Sequence, residues 1–368
     1  MEVKNNGEWS RNNIYHPFNS YKALHHSDRF KIISEGGIPP PVVVNLDPTN
    51  RCTYDCVWCM AREHRESNVS DMTVEEMKWI PEALKDWGVK AVCAAGGGDP
   101  TLNANVHILV KGLNDAGLDV GFVTNGANMP DRLVETLINC RFVGFSMDAG
   151  YDATYAKLKK VDTGIFANVL GNIEKLAKLK GGRMRIGYKY LVHPENIYAD
   201  EIYSAIKIAK SIGVDDFQLR PLLTDRSFFD KEIMYAPDTK NVVDEQIDKA
   251  RHDFEDDNFK IYAVTHKFQP DLKKKLNFDK CRATPLGSTW TAEGDVYLCV
   301  DRRGDPSLRL CSWRKGMDEV KEAWGSQRHH DLINNIDLHD CPRCTNAPYN
   351  EFLQMLYGQD DPMMRNLI

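Results

Sequence analysis

The stretch Val42-Val-Val-Asn-Leu-Asp-Pro-Thr-Asn-Arg-Cys52-Thr-Tyr-Asp-Cys56-Val-Trp-Cys59 sets an apolar run of strand length directly before a polar loop that carries three cysteines. A short apolar run bounded by turn residues predicts a buried strand, here Val42–Leu46. Runs of the same kind recur at Val89–Ala95, Val120–Thr124, Phe142–Met147, Arg185–Leu191 and Asp216–Arg220. Between them, apolar residues at helical spacing predict helices over 73–86, 104–116, 130–139, 164–179 and 199–212, the first with Ser70-Asp71-Met72-Thr73 as cap candidates. Strand–helix alternation predicts a parallel sheet with right-handed crossovers, and six units predict a partial (β/α)6 TIM-like barrel. Chemistry in such folds gathers at the carboxyl ends of the strands. The cysteine loop falls at one such end, and Gly96–Asp99, Asn125-Gly126 and Asp148 fall at others.

The thiol spacing is C-x3-C-x2-C. A closed zinc or cluster site takes four protein ligands, so three thiolates on one loop leave a coordination position open for an exogenous ligand. A zinc knuckle completed by His64, or a loop without metal, are the alternatives. A second set follows: Cys281-x12-Gly294-x4-Cys299 and then Cys341-Pro-Arg-Cys344. Short strands at Ser288–Thr291 and Val296–Val300 predict a hairpin that brings Cys281 and Cys299 to one end. Four thiolates make a closed site for a cluster, or for structural zinc with His329, His330 and His339 as further candidates.

Residues 1–40 are polar and aromatic without periodicity and end in Gly-Gly-Ile-Pro-Pro-Pro, which predicts an extension ahead of a barrel at 41–235. A charged helical pattern near 238–258 and a lysine run at Lys273–Lys275 predict a helical linker at 236–280, leaving a small α+β module at 281–368. Hydrophobic residues are 42% and charged residues 27%, as in soluble globular proteins, and the net charge of −6 offers nucleic acid or an anionic membrane no general attraction. No run approaches the roughly 18 apolar residues of a membrane span, and the first residues lack the apolar core of a signal peptide, which predicts a cytoplasmic protein. In that reducing compartment ten cysteines read as metal or cluster ligands and core thiols rather than disulfides.

At Cys52, Cys56 and Cys59 the chain resembles the radical S-adenosylmethionine (SAM) superfamily, and the resemblance extends from residue 42 onward. It implies a [4Fe–4S] cluster on these thiolates, with SAM chelating the fourth iron through its amino and carboxylate groups. It also implies reductive cleavage of SAM to a 5′-deoxyadenosyl radical that abstracts hydrogen, with a donor such as flavodoxin or ferredoxin. Gly96-Gly97-Gly98-Asp99-Pro100 matches the family's glycine-rich turn ending in Glu-Pro, with Asp99 in place of Glu. The resemblance assigns Gly97, Gly98 and Asp99 to the methionine end of SAM, Trp58 to the adenine, and Asn125, Ser146 and Asp148 to the polar groups. Lys157 matches a basic residue that pairs with the SAM carboxylate. A tight turn at the glycines, loop packing at Trp58 and a solvated face at Lys157 are the bland alternatives.

The second thiol set resembles the SPASM/twitch extension of the same superfamily. The full form has seven cysteines; the five here imply the shorter twitch form, with one auxiliary [4Fe–4S] cluster on Cys281, Cys299, Cys341 and Cys344. Cys311 is then a core thiol, an exchangeable ligand or a hydrogen-atom donor, while Cys93 and Cys140 read as small buried hydrophobes. The segment Ser146–Tyr155 resembles sugar and aminocyclitol dehydrogenases and epimerases, which implies a small carbohydrate-like substrate. Oxidation needs a base or cation near the substrate, for which Tyr188, Lys189, His193, Arg220, Asp301 and Arg302 are candidates; Arg220 stands out because it ends an apolar strand. A peptide- or protein-modifying maturase is the alternative. Such enzymes often carry a leader-binding domain ahead of the barrel, whereas about 40 residues precede the first strand here.

Overall fold

The computed structural model describes residues 19–59, 61–62, 69–222, 235–265, 276–341, 344–357 and 363. After helix α1 (Ser27–Ser34), strands and helices alternate: β1 (Val43–Leu46), α2 (Val74–Trp87), β2 (Ala91–Ala94), α3 (Val106–Asp115), β3 (Asp119–Thr124), α4 (Asp131–Leu137) and β4 (Phe142–Ser146). They continue through α5 (Asp152–Lys159), α6 (Ile165–Leu179), β5 (Arg185–Val192), α7 (Glu201–Ser211), β6 (Asp216–Pro221), α8 (Thr239–Phe254) and β7 (Lys260–Ala263). The C-terminal module adds β8 (Gly287–Trp290), β9 (Asp295–Tyr297), β10 (Arg309–Ser312), α9 (Met317–Ala323), α10 (Gln327–Asn334) and α11 (Ala347–Leu356). The six expected barrel strands all form, within one or two residues of their expected ends.

Helix α2 shows why these elements form where they do. Thr73 accepts the Glu76 amide at 3.2 Å while Glu76 accepts the Thr73 amide at 2.7 Å, so two orphan donors of the first turn are satisfied. Met77, Ile80 and Leu84 fall on one face and are fully buried, and Gly88 ends the helix at φ 97°, a left-handed position that suits glycine.

One sheet of ten strands runs in the order β10-β9-β8-β1-β2-β3-β4-β5-β6-β7. Strands β1 to β7 are parallel, β8 lies parallel to β1, and β9 and β10 are antiparallel. The expected linker therefore contains a seventh parallel strand, and the second module continues the barrel sheet through Val43↔Gly287 to Leu46↔Trp290. Strand β7 escapes sequence reading because it is only four residues long and opens on Lys260, with Ile261 and Ala263 alone of the four turned to the core. The lysine run at 273–275 lies outside the described residues.

The sheet's two faces differ in chemistry. Val44, Leu46, Val92, Phe122, Val143, Phe145, Ile186 and Tyr188 are 0–1% exposed beneath the helices and form the main core; each such burial contributes about 1.5–3 kcal/mol. Alternate residues face the other way. A Cβ on Gly144 would meet Lys189 at 2.9 Å and the Phe142 ring at 2.8 Å, one on Gly187 would meet Asp216 and Gln218 at 2.9 Å, and one on Gly121 would meet Cys93 Sγ at 3.8 Å. The concave face is thus glycine-rich and polar. Helix α1 docks on α11 through Phe30, Ile33, Ala283, Leu286 and Leu353, so the N-terminal extension is bolted to the C-terminal module. No helix among the described residues is long and apolar enough to cross a membrane.

Candidate active site

The loop after β1 is pinned from several sides before its cysteines begin. Asp47 donates its amide to Trp290 O at 2.9 Å, and its buried carboxylate takes the Arg303 guanidinium at 2.8 and 2.9 Å. Asn50 accepts from Ser70 N at 2.8 Å and donates to Glu293 Oε1 at 2.5 Å. Further on, Asp55 N and Val57 N donate to Lys159 O and Leu158 O, so the loop lies along the end of α5. Cys52 Sγ accepts from Tyr54 N at 3.4 Å and lies 4.0 Å from Asn125 Nδ2. Cys59 N donates to Cys56 O at 3.0 Å. The three thiols are part-exposed, and burial pushes the Cys56 thiol up while the Lys159 ammonium opposes it.

The turn after β2 presses on the backbone of this loop. Gly98 N donates to Thr49 O at 3.2 Å and Asp99 N to Arg51 O at 2.7 Å; a Cβ on Gly98 would lie 2.0 Å from Arg51 O, so only glycine fits. The Asp99 carboxylate points inward. It accepts from Thr101 N at 3.0 Å, Thr101 Oγ1 at 2.6 Å, Thr124 Oγ1 at 2.9 Å and Asn125 N at 2.6 Å. Burial raises this carboxyl above its usual range in spite of those bonds. Asp99 is a strut between the turns after β2 and β3, fully occupied by protein donors.

Beneath the loop is a buried ion pair. Asp148, in the left-handed region at φ 60°, accepts the Leu191 amide at 2.5 Å and pairs with Lys159, and both side chains are 2% exposed. The Lys159 ammonium lies 5.2 Å from the centre of the Trp58 ring, which packs 5.7 Å from the His193 ring. Lys157, two residues earlier, is 68% exposed and paired with Glu195 at 2.9 Å. Two residues along a helix are about 200° apart, so the two lysines cannot share a face. The structure turns Lys159 in, and the sequence signal for it was Tyr155, its neighbour on the same face.

The second thiol set shares one cavity. Cys281, Cys299, Cys341 and Cys344 line it together with Asp301, Arg302 and Asn350. The β8–β9 hairpin turns at Gly294, φ 102°, and brings Cys281 and Cys299 to one end as expected. Burial pushes the Cys299 and Cys344 thiols up to about 12. Asp301 accepts from Thr345 N at 2.7 Å and Thr345 Oγ1 at 2.9 Å, which ties the loop after Cys299 to the turn after Cys344. Among the described residues no histidine lines this cavity. His329 is buried elsewhere, 4.5 Å from the Trp324 ring and accepting from Gly325 N at 3.1 Å, with its pKa lowered to about 3 by burial. His64 lies outside the described residues.

With this geometry in hand, residues 46–207 match the radical SAM superfamily. They form a radical SAM domain. The chain is 23% identical over 335 residues to the tungsten-containing aldehyde ferredoxin oxidoreductase cofactor-modifying protein of Pyrococcus furiosus, covering 77% of this chain and 91% of that protein. It is 25% identical over 176 residues to a probable GTP 3′,8-cyclase of Saccharolobus islandicus, covering 46% and 54%. Among solved structures, SuiB of Streptococcus suis bound to S-adenosylmethionine shares the fold at a TM-score of 0.64 and 14% identity, over 89% of this chain and 76% of that one. Native anSMEcpe with bound AdoMet does so at 0.58 and 17% identity, over 84% and 88%.

A radical SAM domain takes a [4Fe–4S] cluster and SAM. The donor set after β1 fits that pair, because three thiols on a braced loop leave the fourth position to SAM. The four-thiol cavity fits one auxiliary cluster, a closed set with no open position. Trp58, Asn125 and Asp148 gather around the thiol loop, Gly97 is buried within the turn after β2, and Ser146 ends β4 opposite Lys189. Lys157 is not brought to them. Arg220, half-buried, stands beside Leu191 at the end of β6. Tyr188 faces the helices and donates to Ala149 O at 2.5 Å. Cys311 lies in the core under α9 and α10, outside the four-thiol cavity, and burial pushes its thiol up to about 12. Arg303 was missed in sequence. It bonds to Asp47 and also donates to Gly96 O at 3.3 Å, so it links the loop after Cys299 to both the cysteine loop and the glycine turn.

Proposed function

We propose that Cys52, Cys56 and Cys59 ligate the cluster that binds SAM, that Cys281, Cys299, Cys341 and Cys344 ligate one auxiliary [4Fe–4S] cluster, and that the enzyme oxidises a hydroxylated small molecule of carbohydrate or aminocyclitol type. The observation that carries this is the pairing of an open three-thiol loop with a closed four-thiol cavity on one continuous sheet. When bound, these groups supply a 5′-deoxyadenosyl radical for hydrogen abstraction and a one-electron acceptor.

The chain's own residues do the positioning. Gly98 allows the backbone of the glycine turn to approach, with Gly97 beside it, and Trp58, Asn125 and Ser146 are the proposed side-chain contacts to SAM. Asp99 and Asp148 act as supports of those turns, and Lys157, engaged by Glu195 at the surface, has no part. Arg303 holds the two modules in register. A substrate on the concave face would meet Lys189, Gln218 and Arg220, and a cation there favours loss of a hydroxyl proton. Arg220 is the proposed catalytic cation. Cys311 under its helices supports oxidation over epimerisation, which needs a thiol at the substrate. A low-potential donor such as flavodoxin or ferredoxin, in a reducing cytoplasm, completes the scheme.

A second reading, peptide or cofactor modification, has support of its own. The name of the Pyrococcus furiosus relative describes a cofactor-modifying protein, and SuiB, alike in fold, has been solved bound to its precursor peptide SuiA. Anaerobic incubation of the reconstituted enzyme with SAM, reductant and deuterated sugars, aminocyclitols or peptides separates the two. Deuterium in 5′-deoxyadenosine together with a product lacking two hydrogens supports sugar oxidation. Label from a peptide alone defeats it.

A further inference from the structure

Asn350 of α11 is fully buried at the four-thiol cavity, and all of its polar atoms are engaged. Its Oδ1 accepts from Arg282 N at 2.7 Å and Ala283 N at 2.8 Å, the two amides that follow Cys281. These two bonds settle which end of the amide is which, because a flipped side chain would set its NH2 against two backbone donors. Nδ2 is therefore turned to the sulfurs, 3.8 Å from Cys281 Sγ and 3.8 Å from Cys344 Sγ. One side chain thus clamps the backbone after one cysteine and donates to that thiol and to a second one 63 residues away in sequence, from position 281 to 344.

Donors directed at thiolate sulfur stabilise negative charge there, and hydrogen bonds to the sulfurs are among the levers by which a protein tunes a cluster's potential. Reduction adds charge, so such donors favour the reduced state. We propose that Asn350 is a positioning residue that sets the reduction potential of the auxiliary cluster by donating to two of its thiolate ligands. This rests on the reading that the four cysteines ligate a cluster. Among the described residues the cavity's other side-chain amide is that of Asn346, whose backbone N–H, not its side chain, bonds to the Cys344 sulfur. The role of Asn350 goes beyond packing, since an apolar residue of similar size would fill the space but leave both thiolates without this donor.

The test uses the full chain with Cys52, Cys56 and Cys59 replaced by alanine, so that only the auxiliary site can load, reconstituted anaerobically and titrated by spectroelectrochemistry. In that background Asn350→Asp keeps an acceptor for the Arg282 and Ala283 amides but turns an anionic oxygen toward the sulfurs. The cluster should load, and its reduced-to-oxidised ratio at a fixed potential should fall by about tenfold or more, 59 mV for a one-electron couple. Asn350→Leu, which removes the donor without adding charge, should lower the potential less and load less iron. Normal loading of both variants at the parent potential overturns the role of Asn350. Absence of iron and sulfide from the parent background overturns instead the assignment of a cluster to the four cysteines.

Discussion

Lys159→Met tests the buried ion pair under the thiol loop. The substitution keeps most of the side chain's length and its contact with Trp58 but leaves the Asp148 carboxylate, 2% exposed, with only the Leu191 amide. Removing one partner of a buried pair costs roughly 3–5 kcal/mol because the other charge is left uncompensated. In a chain of this size that lowers Tm on the order of 4 to 6 °C. Lys157→Met, at a 68% exposed side chain, should stay within about 0.5 kcal/mol. Asp148→Asn is the natural counterpart, because asparagine tolerates φ 60° and still accepts from Leu191 N. The Asp148→Asn/Lys159→Met double variant should recover much of the loss, since it leaves no unpaired charge. Anaerobic denaturation of the metal-free chain and its four variants measures the cycle. Single substitutions that each cost under about 1 kcal/mol, or a double variant whose cost is their sum, would refute the pairing as the support of the loop.

Gly98→Ala puts a Cβ 2.0 Å from Arg51 O and must displace the turn from the cysteine loop; 5′-deoxyadenosine formation should fall about 100-fold, as for an ångström-scale misplacement, while Gly181→Ala, in open space, serves as a neutral control. Asp216, buried and raised to about 6 by desolvation against its bonds to Gln218 and Arg185, binds its proton more tightly folded than unfolded. Its contribution is therefore present below the unfolded pKa and lost as pH rises through 6, so the stability of the metal-free chain relative to Asp216→Asn should decline by about 2 kcal/mol from pH 4 to pH 7; no change across that window would contradict it. Cys311→Ala should keep cluster content and product formation within about twofold, since position 311 lies outside the cavity and off the concave face; loss of product with continued 5′-deoxyadenosine formation would restore it as a hydrogen donor.

Much of the fold was legible because buried parallel strands read as apolar runs and the helices between them as one-sided stripes. The thiol loop and glycine turn were equally plain, being local in sequence. What escaped is non-local or depends on facing. Lys157 and Lys159 differ by half a helical turn, and only packing decides which meets Asp148. Asp99 carries a motif position, but its direction is set by Thr101, Thr124 and Asn125, which lie on two loops. Arg303 acts on Asp47, 256 positions away, and Asn350 on Cys281, 69 positions away, with no spacing to announce them. Helix α1 has only Phe30 and Ile33 to show, and its partner Leu353 lies near the other end of the chain.

Iron and acid-labile sulfide, counted in anaerobically purified protein, address the central claim most directly when combined with two cysteine variants. The account predicts iron for two [4Fe–4S] clusters in the native chain. Half should be lost on replacing Cys52, Cys56 and Cys59, and the other half on replacing Cys281, Cys299, Cys341 and Cys344. A colourless protein that carries zinc and no iron would contradict it.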